Sequence, residues 1–139
     1  MKKLDRAWIW AVLAVGWMAF IYALSDHSAG DFDDANDAVS WLPLASILVH
    51  VALYFILSVF VLRAFVLLRP VTEGLIAYST IFIALVYGVL DEFHQSSVEG
   101  RASEVIDVVA DVSGAVLVVV FWFFLRRYRD KSGVEPDNH

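Results

Sequence analysis

The chain has 139 residues, 60% of them hydrophobic and 19% charged, where soluble domains average roughly 45–50% and 25%. Its mean hydropathy is +0.68 and its formal net charge is −6. These values exclude a disordered chain and a basic nucleic-acid binder, and the absence of cysteine excludes a disulfide framework, a thiolate zinc site and a thiol nucleophile. What remains is one small membrane domain.

A spanning helix needs roughly 20 mostly apolar residues. Residues 7–24 carry no charge and are rich in Trp, Ile, Val and Leu. Lys2, Lys3 and Arg6 ahead of them would also suit the basic start of a signal peptide. The apolar run exceeds the usual length of about 7–15 residues for such a peptide, and no small-x-small cleavage site follows, so it reads as a retained span. Residues 38–62 are the second charge-free run. Pro43 fits a first helical turn, which places this helix over residues 44–68. Residues 74–90 form the third, with Thr72 placed to cap it. Residues 105–125 form the fourth, although Asp107 and Asp111 lie near its start. Each Asp costs about 2.5–3.5 kcal/mol at the bilayer centre and less towards the edge. The apolar half, residues 112–125, is long enough to draw the helix in.

The fold class is therefore an all-α integral membrane protein, a bundle of four transmembrane helices. Residues 1–128 make one membrane domain, and 129–139, with Gly133 and Pro136, read as a short polar, disordered tail. Lys2, Lys3 and Arg6, then Arg63 and Arg69, then Arg126, Arg127, Arg129 and Lys131 all fall on one side of four spans. The other side receives Asp26, Asp31, Asp33, Asp34 and Asp37, and a segment from 91 to 104 whose only Lys or Arg is Arg101. The positive-inside bias then places both termini in the cytoplasm and the acidic loops outside.

The informative polar stretch lies near the third turn of the chain. If helix three continues through Gln95, then Tyr87, Asp91, His94 and Gln95 share one face. In helix four, Glu104, Asp107, Asp111 and Gly114 share a face, and helix two offers His50 and Tyr54 one turn apart. A short connection makes helices three and four antiparallel neighbours, so their polar ends meet. Each residue also has a plainer reading. His50 alone reads as a packing histidine, Tyr54 as packing or a hydrogen bond, and Glu92 and Glu99 as solvated loop-edge charges. The acidic loop 26–37 reads as solvated and lacks the pattern of a calcium loop. Ala84 with Gly88 and Ala110 with Gly114 are small-xxx-small pairs suited to close helix packing. Together, however, Asp91, Asp107 and Asp111 are acids at or inside the hydrocarbon, which makes them candidates for function. Arg101 is the cation expected to pair with one of them.

Tyr87-Gly-Val-Leu-Asp-Glu-Phe-His-Gln-Ser96, then Gly100-Arg101, then Asp107-Val-Val-Ala-Asp-Val-Ser-Gly114 closely resembles the signature of VanZ-like membrane proteins. The matching positions are Asp91, Glu92, Gln95, Gly100, Arg101, Asp107, Asp111 and Gly114, with His50 and Tyr54 in helix two and Ser25 at the end of helix one. The resemblance covers about residues 8–125. Two positions depart from it: Ile47 stands where the family often has a Lys, and Glu99 where it usually has a Pro. The resemblance implies a small four-helix bacterial inner-membrane protein. The family's founding member is associated with low-level resistance to teicoplanin, a lipoglycopeptide that binds cell-wall precursors. Antibiotic resistance enters here through that resemblance alone.

Three functional classes fit these residues. The preferred one is an envelope protein whose outward polar pocket binds an amphiphile: a membrane lipid, a lipid-linked cell-wall precursor or a lipid-tailed drug. The binding candidates are His50, Tyr54, Asp91, Glu92, His94, Gln95, Arg101, Asp107 and Asp111. The second is a metal-dependent membrane enzyme acting on a lipid-linked substrate, with Asp91, Asp107 and Asp111 as candidate ligands. A divalent cation suits these acids, but no specific motif indicates one. The third is a small transporter or proton relay. The acids gather at one level instead of forming a path, so this reading needs an oligomer to complete it.

Overall fold

In a computed structural model the described residues are 3–26, 45–68, 71–98 and 104–132. They form four helices: α1 (Lys3–Ser25), α2 (Ala45–Leu67), α3 (Glu73–Gln95) and α4 (Val105–Ser132). At 1.5 Å per residue the first three are roughly 35 Å long, enough to cross a hydrocarbon core of about 30 Å. All four are long and apolar enough to span a membrane. The acidic loop 27–44 and Arg101 lie outside the described residues.

The helices start and end close to where the charge pattern places them. Thr72 caps α3, its hydroxyl accepting a hydrogen bond from the Leu75 amide at 3.3 Å. The fourth helix differs. It continues past Tyr128 to Ser132, through a stretch expected to begin the polar tail. Arg126, Arg127, Arg129 and Lys131 are good helix formers, and neither Gly nor Pro occurs between Gly114 and Gly133, so the helix outlasts its apolar run.

Helix α2 is the hub and packs against the other three. Its buried face carries Tyr54, Leu57, Ser58, Val61, Leu62 and Ala64. Helix α1 meets it through Ala7, Ala14 and Ile21, one buried residue every seven, which is a coiled-coil-like seam. The Trp17 indole N–H donates to the Leu53 carbonyl at 2.9 Å, and the Trp17 and Phe60 rings meet edge-on. The outer surface is apolar: Trp8, Leu48, Phe93, Val105, Phe121 and Phe124 are all exposed. Such a surface is suited to lipid rather than water.

Small residues decide how closely the helices approach. On α4 the buried positions are Asp107, Ala110, Asp111, Gly114, Ala115, Val118 and Val119, a repeating three-and-four spacing on one face. A Cβ on Gly114 would lie 2.5 Å from the Val51 carbonyl oxygen and 2.8 Å from the Phe55 nitrogen, so here the α4 and α2 backbones touch. On α3, a Cβ on Gly88 would lie 2.7 Å from Oδ2 of Asp111. Gly114 and Gly88 thus create the space that the polar residues one turn away occupy.

The contacts also fix which ends lie together. Gln95 at the end of α3 reaches Ser25 at the end of α1, and His50 near the start of α2 reaches Asp111 near the start of α4. At the opposite end, Arg126 pairs with Glu73 at 2.8 Å and the Arg63 guanidinium sits over the Trp10 ring. The bundle therefore runs up-down-up-down, with one acidic end and one basic end.

Candidate functional site

The acidic end is built on the same faces that form the core. Asp107 and Asp111 occupy two successive inward positions of α4, in register with Gly114 and Val118 below them. His50 lies on α2 opposite both. Its Nδ1 is 2.9 Å from Oδ1 of Asp111 and its Nε2 is 3.9 Å from Oδ2 of Asp107. Where Asp111 is ionised its carboxylate only accepts, and Nδ1 is then the donor of this pair. Nε2 then faces Asp107 at a distance too long for a hydrogen bond.

Helix α3 supplies Asp91, Glu92 and Gln95, all buried. Glu92 accepts a hydrogen bond from the Glu104 amide at 2.9 Å, which holds its carboxylate at the N-terminus of α4. That end of a helix favours negative charge, and Asp107 sits in the same first turn. One ligand atom each from His50, Glu92 and Asp107 can be chosen so that all three lie within 4.8 Å of one another. Tyr54, one turn along α2 from His50, is fully buried, and it lies within electrostatic reach of Asp111, Asp91 and Glu92.

Asp91 and Gln95 play a different part. The Gln95 amide donates to Oδ2 of Asp91 at 3.0 Å and to the Ser25 hydroxyl at 3.2 Å. This clip ties the end of α3 to the end of α1. The Tyr87 hydroxyl extends the tie by donating to the Met18 carbonyl. His94 departs from the face expected for it. It stacks on Tyr22 with ring centroids 4.3 Å apart, and its Nε2 lies 3.4 Å from Asp26. The difference arises because three residues from Asp91 is enough rotation to bring His94 round to α1, while Gln95, four residues on, stays inside.

The structure thus brings His50, Tyr54, Glu92, Asp107 and Asp111 together. It places Asp91 and Gln95 beside them on the α1 side and sets His94 apart. Glu92, readable as a solvated edge charge, is buried. His50, readable as a lone packing histidine, is hydrogen-bonded to Asp111 and faces Asp107. Several tying residues were not singled out from the sequence as structural partners, namely Trp17, Met18, Tyr22 and Asp26. The usable signal for them was their place on α1 at the level of the polar ends of the other helices.

A family model described as VanZ/LLP1 matches residues 10–126. The chain belongs to the VanZ/LLP1 family. No curated protein and no solved structure matches it. The matched span contains every polar residue of the acidic end described above, as well as Gly88 and Gly114. Family membership and the four apolar helices make this VanZ/LLP1 protein a multi-pass membrane protein.

Proposed function

We propose that the protein is a bacterial inner-membrane envelope protein whose acidic end faces outward and binds the head group of an amphiphile. Residues 1–128 are its binding domain and both termini are cytoplasmic. The observation that carries this reading is a buried polar cluster on α2, α3 and α4 at one end of a bundle whose outer surface is apolar. An apolar groove of about 470 Å³, lined by Leu85 of α3 and by Val109, Val112, Val116 and Leu117 of α4, lies on the face of α4 turned away from Asp107 and Asp111. A head group in the cluster with its tail along the apolar exterior suits a lipid, a lipid-linked cell-wall precursor or a lipid-tailed antibiotic of the lipoglycopeptide kind. Arg101, which follows α3 by six residues, is the cation in the sequence best placed to hold an anionic head.

Native mass spectrometry of the purified protein with bacterial phospholipids, together with the sensitivity of producing cells to lipid-tailed envelope antibiotics, tests this. Arg101→Ala and Asp107→Ala are expected to lower lipid retention and alter sensitivity. Asp34→Ala, in the acidic loop, is expected to change neither. Wild-type behaviour of both site variants at normal protein levels would contradict the proposal.

A further inference from the structure

The acidic end gathers Asp91, Glu92, Asp107 and Asp111 on two helices, all buried. His50 lies within ion-pair distance of two of them, Asp107 and Asp111. The imidazole is also poised in a particular way. Its Nδ1 is occupied by Asp111, which leaves Nε2 as the free coordinating nitrogen, turned towards Asp107. A carboxylate that fixes one imidazole nitrogen so that the other can bind a cation is the usual outer support of a metal-ligating histidine.

A second, independent observation points to a ligand. The Tyr54 hydroxyl and Oδ2 of Asp111 belong to side chains with no exposed surface, and neither has a hydrogen-bond partner among the described residues. Tyr54 is on the His50 face of α2, so its hydroxyl is available to a molecule seated in the cluster.

We propose that His50 Nε2, Glu92 and Asp107 bind a divalent first-row metal ion, with Asp111 positioning the imidazole and Tyr54 contacting a water on the open side of the ion. One ligand atom from each of the three residues can be chosen so that all lie within 4.8 Å of one another, and His50 Nε2 and Asp107 Oδ2 are 3.9 Å apart. A tetrahedral zinc with bonds of about 2.0–2.2 Å needs neighbouring ligand atoms roughly 3.3–3.5 Å apart, so modest side-chain rotation closes the site. One nitrogen and two carboxylate oxygens, without sulfur, suit zinc or manganese better than copper(I). Three protein ligands leave a coordination position free. The inference deepens the head-group reading, because a bound cation lets an acidic cluster accept an anionic head. It goes beyond that reading because the metal binds without any amphiphile.

The test uses the full chain, free of any affinity tag, in detergent and stripped with chelator, then titrated with Zn²⁺ against a competing fluorescent chelator. About one tightly held ion per chain is expected. His50→Gln, Glu92→Gln and Asp107→Asn are expected to abolish it, Asp111→Asn to weaken it by roughly 10–100-fold, and Asp130→Asn to leave it unchanged. Helicity and monodispersity identify the variants that remain folded. X-ray absorption of the zinc-loaded wild type, which needs no variant, is expected to show imidazole and oxygen ligation. Absence of stoichiometric binding, or tight binding that survives in folded His50→Gln and Asp107→Asn, overturns the proposal. Phosphatidylglycerol binding is measured on the same samples with and without Zn²⁺. Retention that requires the ion supports both readings. Zinc binding without any lipid retention leaves the metal site standing and removes the head-group reading.

Discussion

Replacing Gly114 with Ala is expected to destabilise the bundle, whereas the same change at Gly16 is not. The new Cβ at Gly114 would sit 2.5 Å from the Val51 carbonyl oxygen, and ordinary contact begins at 3.4 Å, so α2 and α4 must part by about 0.9 Å. Both opposing atoms, the Val51 oxygen and the Phe55 nitrogen, belong to a helical backbone and cannot rotate away. Overpacking of this kind costs about 1–3 kcal/mol. The helix-propensity gain of Ala over Gly, at most about 1 kcal/mol, offsets only part of it. Gly16 has nothing within 4 Å of its added Cβ, so there the gain stands alone. That gain is common to both variants, so they should differ by the overpacking cost, about 1–3 kcal/mol, with Gly16→Ala matching or exceeding wild type. Reversible unfolding by dodecyl sulfate in mixed micelles, followed by tryptophan fluorescence, measures the difference. Equal stability of Gly114→Ala and Gly16→Ala would refute the close α2–α4 contact on which the His50–Asp111 pairing depends.

Gly88→Ala directs its Cβ at Oδ2 of Asp111, a side chain with no exposed surface into which to retreat. A loss of about 1–3 kcal/mol in the same unfolding assay is expected, with Gly74→Ala close to wild type because nothing faces it. Trp17→Phe keeps an aromatic ring, though a smaller one, and removes the donor to the Leu53 carbonyl. It should cost about 0.5–1.5 kcal/mol, and a value near zero would mean that α1 is not fastened to α2 there.

Much of the fold was legible because lipid-spanning helices advertise themselves by missing charges. The runs at 7–24, 44–68 and 74–90 correspond closely to α1, α2 and α3, and the Thr72 cap lies where the sequence put it. The end of α4 was not legible from hydropathy, because a helix stops at backbone signals and not where apolar residues cease. The small-xxx-small pairs were readable as packing positions, but which backbone each glycine would meet was not. At the acidic end, the residue types were visible and their pairings were hidden. Asp107 and Asp111 stand out as acids in an apolar helix. Their partner is His50, more than fifty residues earlier and on a helix that is not next to α4 in the chain, so no local spacing could reveal it. Arg101, the cation that adjacency suggests for these acids, lies outside the described residues. Glu92, a binding candidate that could also be read as a solvated edge charge because it sits near a turn, is buried and accepts from the Glu104 amide at the start of α4. His94 and Gln95 illustrate the limit of helical-face reasoning: neighbours by one residue, both reach α1, but His94 stacks on Tyr22 at the edge while Gln95 is buried between Ser25 and Asp91.

The central structural claim is that His50 is held between two buried carboxylates of α4, and a double-mutant cycle addresses it most directly. Unfolding free energies of wild type, His50→Gln, Asp111→Asn and the double variant yield the coupling between the two side chains without reference to any ligand. For a contact of 2.9 Å between a buried acid and an imidazole, a coupling of about 0.5–3 kcal/mol is expected. Strict additivity of the two single changes would contradict the claim.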